Sequence, residues 1–472
     1  MNQETILTSW RAVSAAALLA LLSACASTPA GMNAPRSGGA DVPSQWQYGG
    51  APTGRDARAA LTLDEAWWQR FQDPQLDALI ERALSRNTDL AVAALRVRQA
   101  QLRADIADAA RLPEVSARIG ANASRPLESG GATTRTSSAS LNASWELDLW
   151  GRVKSQSDAA QWEAQATEED RRALALSLSG TVARLYWQLA YLDQRVSASE
   201  QSLAYARQTA QLVITQHKVG SVSGLEEAQA RQAVSTQESA LAQLVQARVE
   251  ARQSLALLLD EPSQTSSLPA QPRWPQVERP VIEPGLPADT LARRPDLRAA
   301  EARLRKAYAA VDTTRTSYYP TLSLTGSVGG SSETLSNVLS NPVGTLGAAL
   351  VLPFLQWRDM QRNVAVSQAE ADAAVLGFRQ TLYQALADVD KALSAQVQLQ
   401  TQVQAQGERL TQAQKVERLS ELRYRAGAEP LKTWLDAQES RSQAELAQAE
   451  VRYNQLSNWV ALVQALGGGP TR

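Results

Sequence analysis

Leu382, Leu386, Val389, Leu393 and Val397 step by four, three, four and four along a stretch otherwise made of Ala, Gln, Glu, Arg and further Leu. That spacing gives a narrow apolar stripe on a polar helix, closer to a coiled-coil seam than to the broad face of a core helix. The stretch, Arg358 to Leu466, is broken once, at Tyr424-Arg425-Ala426-Gly427-Ala428-Glu429-Pro430. Gly427 suits a left-handed helix end and Pro430 the first turn of the next helix. The pattern predicts a long helical hairpin whose first arm, from Asp359 to Arg425, would reach roughly 100 Å. Leu178, Val182, Leu185, Leu189, Leu192 and Val196 repeat the stripe in a run that closes at Gly220. The chain then turns through Ser221-Val222-Ser223-Gly224 and returns as helix to Leu259.

The two patterns are copies. Gly220 and Gly427, Trp150 and Trp357, Pro113 and Pro320, and Asp89-Leu90 and Asp296-Leu297 are each 207 residues apart. The chain is therefore read as a tandem internal repeat, with a period too long for a solenoid. The first structural repeat spans 61–260, with a strand pair at about 113–149 and a tip turn near Gly220. The second spans 288–472, with a strand pair at about 320–356 and a tip turn near Gly427. Between them, 261–287 is a proline-rich linker with no helical period. Shorter helices precede each strand pair: Leu76, Leu79, Ile80 and Leu84 share a face, Asn87-Thr88-Asp89 starts a second helix, and Leu286 to Tyr308 restarts the pattern.

In the strand pairs the period drops to two. Val115, Ala117, Ile119, Ala121 and Ala123 alternate with Ser116, Arg118, Gly120, Asn122 and Ser124. Leu141, Ala143, Trp145, Leu147 and Leu149 alternate with Asn142, Ser144, Glu146 and Asp148. Leu322 to Gly329 does the same, and Leu346 to Phe354 does so more weakly. Alternation over about ten residues fits membrane β-strands, with a water-soluble amphipathic hairpin as the alternative. Single-chain membrane barrels start at about eight strands, and these repeats supply four. An open sheet in lipid would leave edge amides unpaired at several kcal/mol each, so strands in lipid must close with other copies.

Composition then narrows the class. The 472 residues carry a net charge of −1, 44% hydrophobic content and three Phe, a poor recipe for one large globular core. Balanced charge argues against nucleic acid as partner. One Cys and one His exclude disulfide frameworks and Cys/His zinc sites within a chain. His217 has no pattern of Ser, Cys or carboxylate around it that makes a triad, and reads as a surface histidine at a helix end. Glu168-Glu169-Asp170 and Glu226-Glu227 read as solvated helix faces. No phosphate-binding glycine loop occurs, so an energy source would be another protein. The reading is of a protein that is not an enzyme, without metal or free cofactor.

Residues 1–24 read as a signal peptide: Arg11 precedes an apolar run, Ala12 to Leu22, too short to span a bilayer. The run ends in Leu22-Ser23-Ala24-Cys25, which resembles the bacterial lipobox, with Cys25 as the lipid attachment site. An ordinary signal peptide with an incidental Cys is the alternative. Ala26 is not the Asp that would, by that resemblance, retain a lipoprotein at the inner membrane. The destination expected is the bacterial outer membrane. Residues 25–60, rich in Gly, Pro, Ser and Ala, read as an extended lead from the anchor.

Five motifs carry a wider resemblance. They are Trp67-Trp68-x-x-Phe71-x-Asp73-Pro74-x-Leu76; Gly285-Leu286-Pro287 through Arg293-Arg294-Pro295-Asp296-Leu297-Arg298-Ala299-Ala300-Glu301; Tyr319-Pro320-x-Leu322-x-Leu324; Arg423-Tyr424-Arg425-Ala426-Gly427; and Ala465-Leu466-Gly467-Gly468-Gly469. In this order they resemble the outer-membrane efflux channels, in their NodT-type lipoprotein branch. The resemblance implies a mainly α fold with a membrane β-barrel. It implies a homotrimer with four strands per protomer in a twelve-stranded barrel, on a long periplasmic α-helical barrel. It also implies a periplasmic adaptor and an inner-membrane pump as partners, and small molecules as cargo. Leu435-Asp436-Ala437-Gln438 matches the family's tip motif, which makes Asp436 the constriction residue and three copies of it an acidic ring. An exposed aspartate stabilised near a helix N-terminus is the alternative for Asp436. Lys432 departs from the family pattern, standing where related channels carry a hydrophobic gate residue, and Glu439 stands where a basic one is common. A protein-secretion channel is the second reading of function, and a non-conducting periplasmic spacer lipoprotein the third.

Overall fold

The computed structural model describes residues 42–48, 66–127, 132–262, 268–269, 272–275, 287 and 292–468. The signal peptide, Cys25, nearly all of the extended lead, most of the proline-rich linker, Gly285-Leu286 and Gly469 lie outside the described residues. In chain order the elements are a 3₁₀ turn Trp67–Phe71, α1 Pro74–Arg86, α2 Thr88–Ala109, β1 Glu114–Ser124, β2 Thr134–Leu147, α3 Arg152–Lys218 and α4 Gly224–Leu258. Then come α5 Pro295–Thr316, β3 Thr321–Ser332, β4 Val343–Val351, α6 Trp357–Arg425 and α7 Leu431–Ala465. Both α4 and α7 start 207 residues apart and both run for 35 residues. The long arms α3 and α6 have 67 and 69 residues, roughly 100 Å each. These elements form two compact units, each assembled from separated stretches of chain.

One unit joins Ala100–Ala164 and Ala302–Gly377. Its centre is a four-stranded antiparallel sheet in the order β1-β2-β3-β4. The register pairs Ser116 with Asn142, Asn142 with Ser327 and Ser327 with Thr345, so polar residues line up across all four strands. On the opposite face Ala117, Leu141 and Val328 align, as do Leu147, Leu322 and Leu350. The fourth strand ends earlier than the alternation predicts. Pro353 lacks an amide donor, and Pro353–Leu355 forms a 3₁₀ turn instead of continuing the ladder. Where the chain leaves β2, Trp150 Nε1 donates to the Pro320 carbonyl at 2.8 Å, and its ring meets Tyr319 edge-on at 5.5 Å. The repeat-equivalent Trp357 is exposed, so the two copies are not interchangeable.

The other unit joins Ala40–Gln99, Gln165–Glu301 and Phe378–Arg472. Here the predicted seams are buried at Leu178, Val182, Leu189, Leu192 and Val196 on α3, with Leu185 half-buried between them, and at Leu382, Leu386, Val389 and Leu393 on α6. Val397 corrects the expectation, since it is 55% exposed and the α6 seam ends before it. The Trp67-Trp68-x-x-Phe71 motif supplies an aromatic plug, with Phe71 against Trp187 at 4.8 Å and Trp459 at 4.7 Å. Asp73 caps α1 by accepting from the Gln75 amide at 3.0 Å, and its other oxygen accepts from the Tyr186 hydroxyl at 2.7 Å. Burial pushes the Tyr186 phenol far above its ordinary pKa. Midway along α3, Gly180 lets α7 approach closely: a Cβ there would overlap the Gln464 side chain and meet Val460 at 2.9 Å.

Arg294 explains the second motif. Its guanidinium is buried and donates to the Ala465 carbonyl at the end of α7 at 3.0 Å, satisfying an acceptor that the helix itself leaves free. It also pairs with Asp296 at 2.7 Å and with Asp388 of α6 at 3.3 Å. Burial alone would lower its pKa, but Asp296 and Asp388 outweigh burial and raise it. One side chain thus ties the start of α5 and the end of α7 to the middle of α6. Arg294→Ala is expected to destabilise this unit by about 2 kcal/mol, the scale of a lost charge-assisted hydrogen bond. A thermal unfolding midpoint equal to that of the parent protein would contradict this role.

Candidate functional site: the sheet faces and the hairpin turns

In the sheet unit the chemistry is set by side-chain alternation. One face carries Val115, Ile119, Leu141, Trp145, Leu322, Leu324, Val328, Leu346 and Leu350, and several of these are more than half exposed. The other face is mainly Ser, Thr, Asn and Gly, with Val343, Ala349 and Val351 of β4 as its apolar members. Its charged strand residues are Glu114, Arg118 and Glu146. Glu146 is paired with Arg152 at 2.6 Å, where helix α3 begins. The Glu146 hydrogen bond is the chief reason Arg152 has a raised pKa. The sheet thus has an apolar exposed face opposite a hydroxyl-rich one.

In the helical unit the two hairpin turns are chemical variants of one design. Gly220 and Gly427 both have left-handed backbones, with φ of 77° and 73°. The amide of Ser221 returns to the Gln216 carbonyl at 2.8 Å, and that of Ala428 to the Arg423 carbonyl at 2.8 Å, closing both helix ends alike. Ser223 then starts α4 with a full capping box to Glu226. His217 sits 207 residues before Tyr424, and Glu227 the same distance before Trp434. In the second turn Tyr424 stacks near Trp434 at 5.3 Å, buried with Leu431. In the first, His217 Nδ1 lies 3.0 Å from the Val222 carbonyl and Nε2 lies 3.7 Å from Glu227. The first turn is therefore polar and exposed, and the second is packed. A cluster of Ala210, Val213, Ala230, Tyr424, Leu431 and Trp434 welds the hairpins together.

Beside this cluster lies a cavity of about 300 Å³, lined among others by Tyr205, Gln232, Glu417, Lys432, Asp436, Glu439 and Arg441. Asp436 is in the second turn of α7, and both its oxygens accept from Lys432 Nζ at 2.9 Å. The pair is 63–67% exposed, so it adds little stability but is close to charge-neutral as a unit. The expected acidic ring would therefore draw its excess charge from Glu439, which accepts from Gln237 at 3.2 Å and Gln443 at 2.8 Å. Four links near the turns and the cavity are not legible in the chain: Tyr424 to Gln216 at 2.7 Å, Tyr205 to Glu421 at 3.2 Å, Gln438 to Thr209 at 3.4 Å and, between two residues of the cavity wall, Arg441 to Glu417 at 3.0 Å. Burial raises the Glu417 pKa against the opposing effect of Arg441. Among the described residues no cluster of His, Cys, Asp and Glu is arranged to hold a metal, and no helix is long and apolar enough to cross a membrane.

A two-faced sheet joined to paired helical hairpins defines a membrane channel subunit. The chain belongs to the outer membrane efflux protein family, whose model matches residues 79–261 and 286–468. It is 37% identical to the pyoverdine export outer membrane protein OpmQ of Pseudomonas putida, over 96% of this chain and 97% of that one. It is 30% identical to toxin and drug export protein A of Aggregatibacter actinomycetemcomitans, over 85% of this chain and 88% of that one. Its fold matches the open state of the MtrE outer membrane channel of Neisseria gonorrhoeae with a TM-score of 0.81 at 29% identity, covering 92% and 96% of the two chains. The protein is an outer-membrane efflux channel.

Asp436→Ala should leave stability within about 0.5 kcal/mol, because the ion pair is exposed. It also strips Lys432 of its counter-charge. In a planar bilayer the reversal potential should shift toward anion preference, and Lys432→Ala should shift it the other way. If both variants keep the parent selectivity, the Lys432–Asp436 pair lies off the ion path.

Proposed function

We propose that this chain is the passive duct of a tripartite export system for small molecules, working as a homotrimer in which each protomer gives four strands to a twelve-stranded barrel. The observation that carries the reading is the sheet itself. Its order leaves one edge of β1 and one edge of β4 without a strand partner among the described residues. In lipid that state is too costly to persist, and neighbouring copies are the natural source of partners. The apolar face would meet lipid and the hydroxyl-rich face would line the lumen, the arrangement expected of a transmembrane barrel. Long helices α3 and α6 would build the periplasmic barrel. The Gly220 and Gly427 turns would meet a periplasmic adaptor and an inner-membrane pump, and the Lys432, Asp436 and Glu439 surface would lie at the narrow end. Cys25 would carry a covalent lipid, a second anchor beside the barrel.

Cargo follows from the relatives' names. Pyoverdine and drugs are small molecules, and export of both by similar proteins supports a duct whose selectivity is set largely by the pump.

Crosslinking in intact bacterial envelopes, followed by affinity purification of this chain, should recover one adaptor and one inner-membrane pump. The mature N-terminal peptide from the same preparation should be an acylated Cys25. Recovery of the channel without either partner would contradict the tripartite reading, and an unmodified N-terminus at another residue would remove the lipid anchor.

A further inference from the structure

Arg118 is the only cation among the described strand residues of the polar sheet face, and no role has been given to it above. It sits five positions into β1. Its cross-strand row is Ser140, then Gly329, then Val343, none of which carries charge. The rows on either side bring Ser116 and Asn142, and Gly120 and Ser138. Among the described residues no carboxylate bonds to it, and its side chain is exposed. The acids on the same face are elsewhere: Glu146 is committed to Arg152, and Glu114 is four residues along the strand, about 13 Å away. A guanidinium ringed by hydroxyls and amides, with no acid to neutralise it, has the donor set of an anion site. Five N–H groups in a planar fork match a carboxylate or a phosphate, and the neighbouring serines and Asn142 add neutral donors.

Placement on this face is what makes the group functional. Arg118 shares its parity with Ser116 and Asn122, opposite Val115 and Ile119. On the apolar face an arginine at mid-strand would be strongly destabilising in a bilayer. Arg135, the charged strand residue of that other face, lies at the very start of β2, opposite Ala123 near the end of β1. It is thus placed at the rim and not in the lumen.

We infer that Arg118 is an anion-recognition residue of the barrel lumen, taking the carboxylate or phosphate groups of compounds in transit. The inference rests on the trimeric duct proposed above, in which three copies would form a basic ring. Such a ring screens quickly in salt, since the Debye length is about 8 Å at physiological ionic strength and about 30 Å at 0.01 M. Its effect is therefore greatest at low salt and on multivalent anions.

The test is block of single-channel current by citrate, measured on the purified full-length protein in a planar bilayer at low salt. Citrate should reduce the parent current, and Arg118→Gln should weaken that block roughly tenfold or more, the scale of a lost charge-assisted contact. Arg118→Lys, which keeps the charge but not the fork, should give an intermediate block. Arg135→Gln should block as the parent does. Equal citrate block in the parent and in Arg118→Gln channels overturns the inference and leaves the duct intact. A parent protein that forms no conducting pore overturns the duct reading, and this inference falls with it.

Discussion

The unpaired outer edges of β1 and β4 constrain everything else in this molecule. A strand edge in water can be left open, because water satisfies its amides. In hydrocarbon each unsatisfied group is worth several kcal/mol, and an edge presents a row of them. Four strands in the order β1-β2-β3-β4 make a sheet with two such edges. One side of the sheet is apolar and open, with Ile119 and Leu346 more than three-quarters exposed, the face that the proposed barrel would turn to lipid. A face of that kind and a pair of bare edges are compatible only if the edges are closed by further strands.

The helical unit solves a different problem with the same duplicated sequence. Helices of 67 and 69 residues with narrow seams have too little apolar surface to collapse into a globule. They are held instead at a few strong points. The aromatic plug of Phe71, Trp187 and Trp459 is one, Arg294 at the end of α7 is another, and the cluster of Tyr424, Leu431 and Trp434 at the hairpin turns is a third. Beside that cluster the hairpins are also linked by hydrogen bonds, such as Tyr424 to Gln216 and Gln438 to Thr209. Such bonds can be exchanged for water at modest net cost.

Much of this was legible in the chain because it depends on period and on glycine. Alternation alone located β1 and β2, and the left-handed requirement located Gly220 and Gly427. What escaped was pairwise. The contacts of Glu417 with Arg441 and Tyr205 with Glu421 join residues whose neighbours in sequence give no hint of the partner. The 207-residue offset held an unused signal: His217 and Tyr424, and Glu227 and Trp434, occupy equivalent places with opposite polarity. Comparing them would have predicted that one turn packs while the other stays wet. Pro353, which shortens β4, was also visible as a breaker. Lys432 departs from the family pattern, but its pairing with Asp436 follows from the four-residue spacing on a helix and from nothing rarer.

Closure of the sheet by other copies of the chain is the central claim, and particle mass tests it most directly. The protein extracted in mild detergent, with the detergent contribution subtracted, should weigh three chains and show a β circular-dichroism signal that is lost when the particle is dissociated. A monodisperse single chain that keeps its full β signal would contradict the account, because a four-stranded sheet would then be stable with both edges open.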